Sequence, residues 1–184
     1  TLGFVALLAP GRPERGHGVF FFLGAGFMLV ETKGITELGL QFGNTWQVIG
    51  IIIAVILLMA LGSNAFVQKF SIQRAAIPFV LLILALIAGY AIARAGGMPS
   101  TTAGRLGAVA LLTCPVFFSG LVFSALLRAT QNLPGAMAAN LLGAMAGGML
   151  ENNALRFGYS SMYLMAIALY AAAGVSWVTG RQRL

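Results

Sequence analysis

The sequence predicts an all-α protein, a polytopic bundle of about six transmembrane helices forming one domain over residues 18–184. Of the 184 residues, 59% are hydrophobic and only 8% are charged, whereas about a quarter of a soluble domain is charged because its surface faces water. The apolar segments have the ~17–25 residues that a helix needs to cross a bilayer. The apolar run 49–59 lacks the alternation of polar and apolar residues that barrel strands show.

The first three predicted helices span residues 19–42, 46–67 and 76–93. The first begins with phenylalanines and then turns polar, and Gly34 and Gly39 permit a partly unwound or re-entrant segment there. The second is apolar on every face, which is typical of a helix surrounded by lipid and other helices. The third is apolar throughout and stops at the basic residue Arg94.

The last three predicted helices span residues 106–127, 133–150 and 159–179. Pro115 predicts a kink in the fourth helix, because proline removes a backbone hydrogen bond. In the fifth helix, Gly143 and Gly147 have the spacing that lets two helices approach closely, and Asn140 is expected to hydrogen-bond to a neighbour. Residues 1–17 are predicted to be a truncated helix end or an interfacial lead-in, followed by a cytoplasmic loop.

Basic residues are distributed unevenly between the two ends of the predicted bundle. One end collects Arg12, Arg15, Lys69, Arg74, Arg128, Arg181 and Arg183, and the other has Arg94, Arg105 and Arg156. Because cytoplasmic loops carry the excess of Lys and Arg, we expect a multi-pass membrane protein with its C-terminus in the cytoplasm. The net charge of +7 is spread over short loops, so the predicted partners are membrane lipids and other membrane subunits, not nucleic acid.

Three charged residues of the first helix, Glu31, Lys33 and Glu37, form its most informative feature. A charge at the centre of a bilayer costs about 2.5–3.5 kcal/mol, so it rarely occurs there without a partner or a purpose. Lys33 and Glu37 are one turn apart and are expected to pair, whereas Glu31 points about 200° away from Lys33. The alternative is that residues 19–30 cross most of the bilayer and the charged segment approaches the outer interface.

Glu151 closes the fifth predicted helix on the side opposite the cytoplasmic loops. If the first helix runs outward, Glu151 and Glu37 approach the same outer face. The expected cationic partners at that face are Arg94, Arg105 and Arg156. The sequence therefore predicts an intramembrane polar cluster near the outer leaflet.

Other chemically active side chains are few. His17 is the single histidine and Cys114 the single cysteine, so the chain alone cannot build a disulfide, a zinc site or a Cys–His nucleophile pair. Axial histidine ligation of haem within the bilayer is excluded for the same reason. No catalytic residue, metal ligand or cofactor is predicted, and we expect the chain not to be an enzyme.

Several segments resemble a known family. They are HGVFFFLGAGFMLVETK at 17–33, GNTWQV at 43–48, NLLG at 140–143, GGMLE at 147–151, and GY at 158–159 with MYL at 162–164. From residue 17 onward the chain resembles the C-terminal membrane region of bacterial polytopic spermidine synthase-like proteins. The resemblance implies a location in a bacterial inner (cytoplasmic) membrane. In that family the helices adjoin a cytoplasmic Rossmann-like domain similar to aminopropyltransferases, which bind a decarboxylated adenosylmethionine-type cofactor and a polyamine. The present sequence contains no such domain, so the resemblance carries over no catalytic residue.

Three functions are compatible with these features. The favoured one is a non-catalytic integral membrane subunit that packs against and stabilises a larger complex, such as an energy-converting or photosynthetic one. The alternatives are a half-transporter for a small charged or polyamine-like solute, and the membrane anchor of a spermidine synthase-like enzyme, which predicts a longer gene upstream of Thr1. The subunit is favoured because the helices after the first offer almost no polar lining for a transport route.

Overall fold

The computed structural model describes residues 17–70, 75–99, 101–152, 158 and 160–181, and these residues form six α-helices and no strand. The helices are α1 (Gly18–Phe42), α2 (Trp46–Phe70), α3 (Ala76–Arg94), α4 (Thr102–Ala129), α5 (Leu133–Glu151) and α6 (Ser161–Arg181). All six are long and apolar enough to cross a membrane. The prediction of an all-α, polytopic bundle is therefore confirmed.

Two helices of the bundle begin at polar side chains that cap them. Thr101 accepts a hydrogen bond on Oγ1 from the backbone N–H of Gly104, at 3.2 Å, so α4 begins earlier than its apolar run does. Asn132 accepts in the same way from Gly135 N–H, at 3.0 Å, and here the cap coincides with the start of the apolar run. Hydropathy detects the apolar run alone, so a cap that lies ahead of it lengthens the helix.

The first helix, α1, is the centre of the bundle. It packs against α2, α4, α5 and α6, whereas α3 is attached mainly through α4 and α6. Within its most apolar stretch, 56% of the residues of α1 are buried, against 17% for α2 and α5. Because lipid tails are as apolar as these side chains, tight packing rather than hydrophobicity holds α1 in the middle.

The polar half of α1 is helical throughout. The partly unwound segment that Gly34 and Gly39 permitted is absent, because α1 continues unbroken to Phe42. Both glycines are buried, and a Cβ atom on Gly39 would lie 3.2 Å from Asn44 Oδ1. These glycines therefore allow neighbouring groups to approach the helix and do not interrupt it.

Glycines also bring α1 and α5 into backbone contact. A Cβ atom on Gly143 would overlap the carbonyl oxygen of Phe21, and one on Gly147 would overlap that of Ala25. Gly24 of α1 faces the carbonyl oxygen of Asn140 in the same way. The pairing of 143 with 21 and 147 with 25 shows that the two helices run parallel.

The parallel helices end at different heights. Gly147 is level with Ala25, and a Cβ atom on Gly148 would lie 3.9 Å from Met28 Cγ, so Glu151 reaches about the level of residues 29–32. From there α1 continues to Phe42, over about 15 Å at 1.5 Å per residue. The last third of α1 is thus covered by helices other than α5.

Two tyrosines of α6 lie against glycines of two other helices. A Cβ atom on Gly26 of α1 would come within 2.9 Å of the Tyr170 ring, and one on Gly89 of α3 would come within 2.8 Å of the Tyr163 ring. The Tyr170 side chain is fully buried. Glycine at these two positions leaves room for the rings, so α6 lies between α1 and α3.

Apart from Lys33, the basic side chains that the structure describes lie at the two ends of the bundle. Lys69 and Arg128 lie near the ends of α2 and α4, where Arg128 Nη1 donates to Val67 O at 3.3 Å. Arg94 ends α3 at the opposite end, where the Arg105 guanidinium lies 5.8 Å from the Phe42 ring centroid. This separation is compatible with the predicted orientation. The side chain of Arg181 and all of Arg12, Arg15, Arg74, Arg156 and Arg183 lie outside the described residues.

Candidate functional site

The candidate site is built on an ion pair within α1. Lys33 Nζ lies 2.7 Å from Glu37 Oε1, one turn further along the helix. The Lys33 side chain is 3% exposed, whereas that of Glu37 is 29% exposed. Protein therefore encloses the Lys33 side chain, whereas the Glu37 carboxylate is partly accessible.

Tyr163 of α6 is the third member of the site. Lys33 Nζ lies 4.4 Å from the Tyr163 ring centroid, a distance at which the ring face attracts a cation. Tyr163 thus contacts the ion pair through Lys33 and links α6 to α1.

A cavity of about 220 Å³ lies beside Glu37 and is called the outer cavity below. Its walls come from α1, α3, α4 and α6, and they include Glu37, Gln41, Gly89 and Tyr163. A cavity needs only about 10–15 Å³ to hold a water molecule. The outer cavity therefore has room for a small organic molecule.

The polar lining of the outer cavity is rich in hydrogen-bond acceptors. Gln41 Oε1 is buried and has no hydrogen-bond partner among the described residues, and the Glu37 carboxylate is only partly engaged by Lys33. An unpaired buried acceptor is costly, so it marks a place where a donor is missing. The chemistry of the cavity therefore suits a ligand that carries N–H donors or a positive charge.

The other charged residues that the sequence predicted for the polar cluster do not join Lys33 and Glu37 at this site. Glu31 is half-buried and makes no hydrogen bond or ion pair with another described residue. Glu151 lies about 10 Å below Glu37 along the axis of α1, given 1.5 Å per residue. Within the described part of the chain, neither Arg94 nor Arg105 pairs with a carboxylate.

The predicted packing residues lie where α5 meets α1. Gly143 and Gly147 contact the α1 backbone, and Asn140 places its carbonyl oxygen against Gly24. The Asn140 amide makes no hydrogen bond to another described residue, and it lines a second cavity. The expected interhelical hydrogen bond of Asn140 is therefore not formed there.

Sequence reasoning missed two site residues, Gln41 and Tyr163. Gln41 continues a stripe at four-residue spacing after Lys33 and Glu37, which places all three on one face of α1, and this spacing was visible in the sequence. Tyr163 and Tyr170 are seven residues apart and so share a face of α6. Nothing in the sequence indicates that this face meets Lys33.

The part of the chain that the structure describes contains no set of residues suited to bind a metal ion. No group of three or more His, Cys, Asp or Glu side chains lies close enough together there to hold a metal ion. Cys114 is a half-buried free thiol within α4.

Comparison with known proteins does not identify a family or a function for this chain. No protein-family model, curated protein or solved structure matches the chain. The resemblance to spermidine synthase-like membrane regions stays a prediction.

Proposed function

We propose that the chain binds a small, positively charged solute in the outer cavity and acts as a half-transporter for a charged or polyamine-like solute. The observation that carries this proposal is the asymmetry of the ion pair, in which Lys33 is enclosed while Glu37 borders the cavity. A pair that served packing alone would need no cavity beside it. The unpartnered oxygen of Gln41 adds a second acceptor at the same place.

An ammonium group matches the lining of the cavity. It can donate to the Glu37 carboxylate and to Gln41 Oε1, and it can lie against the Tyr163 ring, which already attracts the Lys33 ammonium. Lys33 contacts Oε1 of the Glu37 carboxylate, and a carboxylate can accept several hydrogen bonds, so an incoming cation can share Glu37 without displacing the lysine. Sharing avoids leaving the enclosed Lys33 ammonium unpaired in a medium of low dielectric constant.

The orientation of the helices belongs to the same proposal. With Lys69 and Arg128 on the cytoplasmic side and Arg94 and Arg105 outside, the outer cavity opens toward the non-cytoplasmic half of a bacterial inner membrane. The proposal involves no catalytic step.

Loss of Gln41 tests the solute site without disturbing the ion pair. In proteoliposomes containing the full chain, Gln41→Leu is expected to weaken binding of radiolabelled spermidine or putrescine by tenfold or more. A hydrogen bond to a charged group is worth about 1.5–3 kcal/mol, and 1.4 kcal/mol corresponds to a tenfold change. The measurement is a binding isotherm, followed by uptake against time.

Glu151→Gln is the matched control, because Glu151 is a helix carboxylate outside the cavity. It is expected to leave solute binding unchanged. The proposal fails if neither polyamine binds, or if Gln41→Leu and Glu151→Gln have equal effects. The melting temperature of each variant separates lost binding from lost folding.

A second proposal is the non-catalytic subunit of a larger membrane complex. The outward face of α5 supports it, because α5 packs mainly on α1 and exposes Met137, Met145 and Met149. Methionine is flexible and polarisable and is frequent on surfaces that adapt to a partner. In this proposal the methionine face of α5 contacts lipids or another subunit.

Gentle detergent extraction distinguishes the two proposals. The half-transporter predicts that the native protein elutes as a dimer, with no other polypeptide present in stoichiometric amounts. The subunit proposal predicts a larger particle in which mass spectrometry finds other membrane proteins at fixed ratio. A monomer or dimer that binds polyamine would contradict the subunit proposal.

A further inference from the structure

A second cavity, also of about 220 Å³, lies on the cytoplasmic half of the bundle and is called the inner cavity below. Residues of α1, α2, α4 and α5 line it. Its lining includes two carboxamides, two hydroxyls and two aromatic rings: Asn64, Asn140, Ser63, Ser119, Phe27 and Phe123. Phe27 precedes Lys33 by about 9 Å along α1, so the inner cavity is separate from the outer one.

The polar groups of the inner cavity are neutral, and some of their hydrogen-bonding capacity is unused. Ser63 Oγ donates to Ala60 O at 2.7 Å, and Ser119 Oγ donates to Val116 O at 2.9 Å. Asn64 Oδ1 accepts from Ser124 Oγ, and the Asn64 amide N–H groups donate to no other residue that the structure describes, so they can donate to a ligand. The cavity therefore presents amide donors, and no charged residue lines it.

The inner cavity opens toward lipid. Its walls α2 and α5 each pack on α1 but share no extensive contact with each other, and Asn64, which lines the cavity, is an exposed residue. Asn64 lies about 9 Å before the end of α2, well inside the span. A molecule that enters between α2 and α5 therefore comes from the hydrocarbon region of the membrane.

We propose that the inner cavity binds the carbonyl-bearing ring of an uncharged lipophile, a quinone-type molecule dissolved in the membrane. The absence of a lining charge disfavours ions, because an ion there would lose its hydration without a partner. The rings of Phe27 and Phe123 supply flat apolar surface for a ring to pack against. The free Asn64 amide supplies the donor that a carbonyl oxygen requires.

The two halves of such a molecule match the two parts of the site. The ring and its carbonyl oxygens occupy the cavity, and the apolar tail leaves through the gap between α2 and α5 into lipid. A phospholipid headgroup does not match, because it is charged and would have to leave the interface to reach this depth. This inference does not depend on the solute proposed for the outer cavity.

Competitive photolabelling of the full chain in nanodiscs tests the inference. The probe is a photoreactive azidoquinone with a short alkyl tail, and cross-linked peptides are mapped by mass spectrometry. We expect labelling of α2 and α4 beside the inner cavity, suppressed by decylubiquinone but not by decylbenzene, which has a ring and tail without carbonyl groups.

Asn64→Leu is expected to weaken decylubiquinone binding by tenfold or more, and Asn64→Ala provides a smaller replacement if leucine disturbs folding. Gln68→Leu is the matched control, since Gln68 is an exposed amide of α2 outside the cavity. Equal suppression by decylbenzene would show that acyl chains fill the cavity and would overturn the inference. Labelling spread evenly over exposed helices, or equal effects of Asn64→Leu and Gln68→Leu, would overturn it as well.

Discussion

Gly143→Ala is expected to destabilise the bundle strongly, although it adds a single methyl group. The new Cβ atom would overlap the carbonyl oxygen of Phe21 on α1, and a backbone atom cannot move aside as a side chain does. Overpacking in a tight interface costs about 1–3 kcal/mol and sometimes more. Because the contact is between two backbones, we expect a loss at or above the upper end of that range.

Thermal unfolding of the detergent-purified chain measures this loss. For a chain of this size 1 kcal/mol corresponds to a shift of about 2–4 °C, so the melting temperature is expected to fall by at least ~6 °C. Gly148→Ala is the matched control on the same helix, because its Cβ atom would lie 3.9 Å from Met28 Cγ, an ordinary contact. Equal melting temperatures for the two variants would show that α1 and α5 do not meet at Gly143.

Glu37→Gln is expected to cost more stability than Lys33→Met, although both break the same ion pair. Without Glu37 the Lys33 ammonium stays enclosed and unpaired, because its side chain is only 3% exposed. Removing one partner of a buried pair typically costs about 3–5 kcal/mol. Without Lys33, the carboxylate of Glu37 still borders the outer cavity, so Lys33→Met is destabilising but less severe.

The double variant Lys33→Met with Glu37→Gln completes the test. It removes both charges, so it is expected to recover much of the stability that each single change loses, and the difference gives the coupling energy of the pair. The measurement is the free energy of unfolding of all four proteins in the same detergent. If the single variants fold with wild-type stability and lose solute binding alone, the pair has no structural role.

The helices themselves could be predicted from the sequence. Bilayer thickness dictates the length of an apolar span, and the spans are separated by short polar connections, so hydropathy located all six. The fourth helix was predicted to start at 106, but it begins at Thr102 because Thr101 caps it. A cap is a local hydrogen bond and leaves little trace in an average over apolar residues.

The arrangement of the helices could not be predicted in the same way. The spacing of Lys33 and Glu37 predicted their pairing, because both lie on one helix and helical geometry determines their separation. Tyr163 reaches them from another helix, and a helix that is apolar on every face gives no pattern to show which side meets which neighbour. The sequence grouped Glu151 with Glu37 because both approach the outer face, but α1 and α5 end at different levels, which keeps Glu151 away from Glu37.

The two tyrosines of α6 lie where this helix packs against α1 and α3. Tyr163 rests on Gly89 of α3 and Tyr170 rests on Gly26 of α1, and α1 and α3 share no extensive contact of their own. The distance between these two helices therefore depends on α6 and on the two rings that it presents to them. The outer cavity lies beside Tyr163 and Gly89, so its width depends on α6 although most of its polar lining comes from α1.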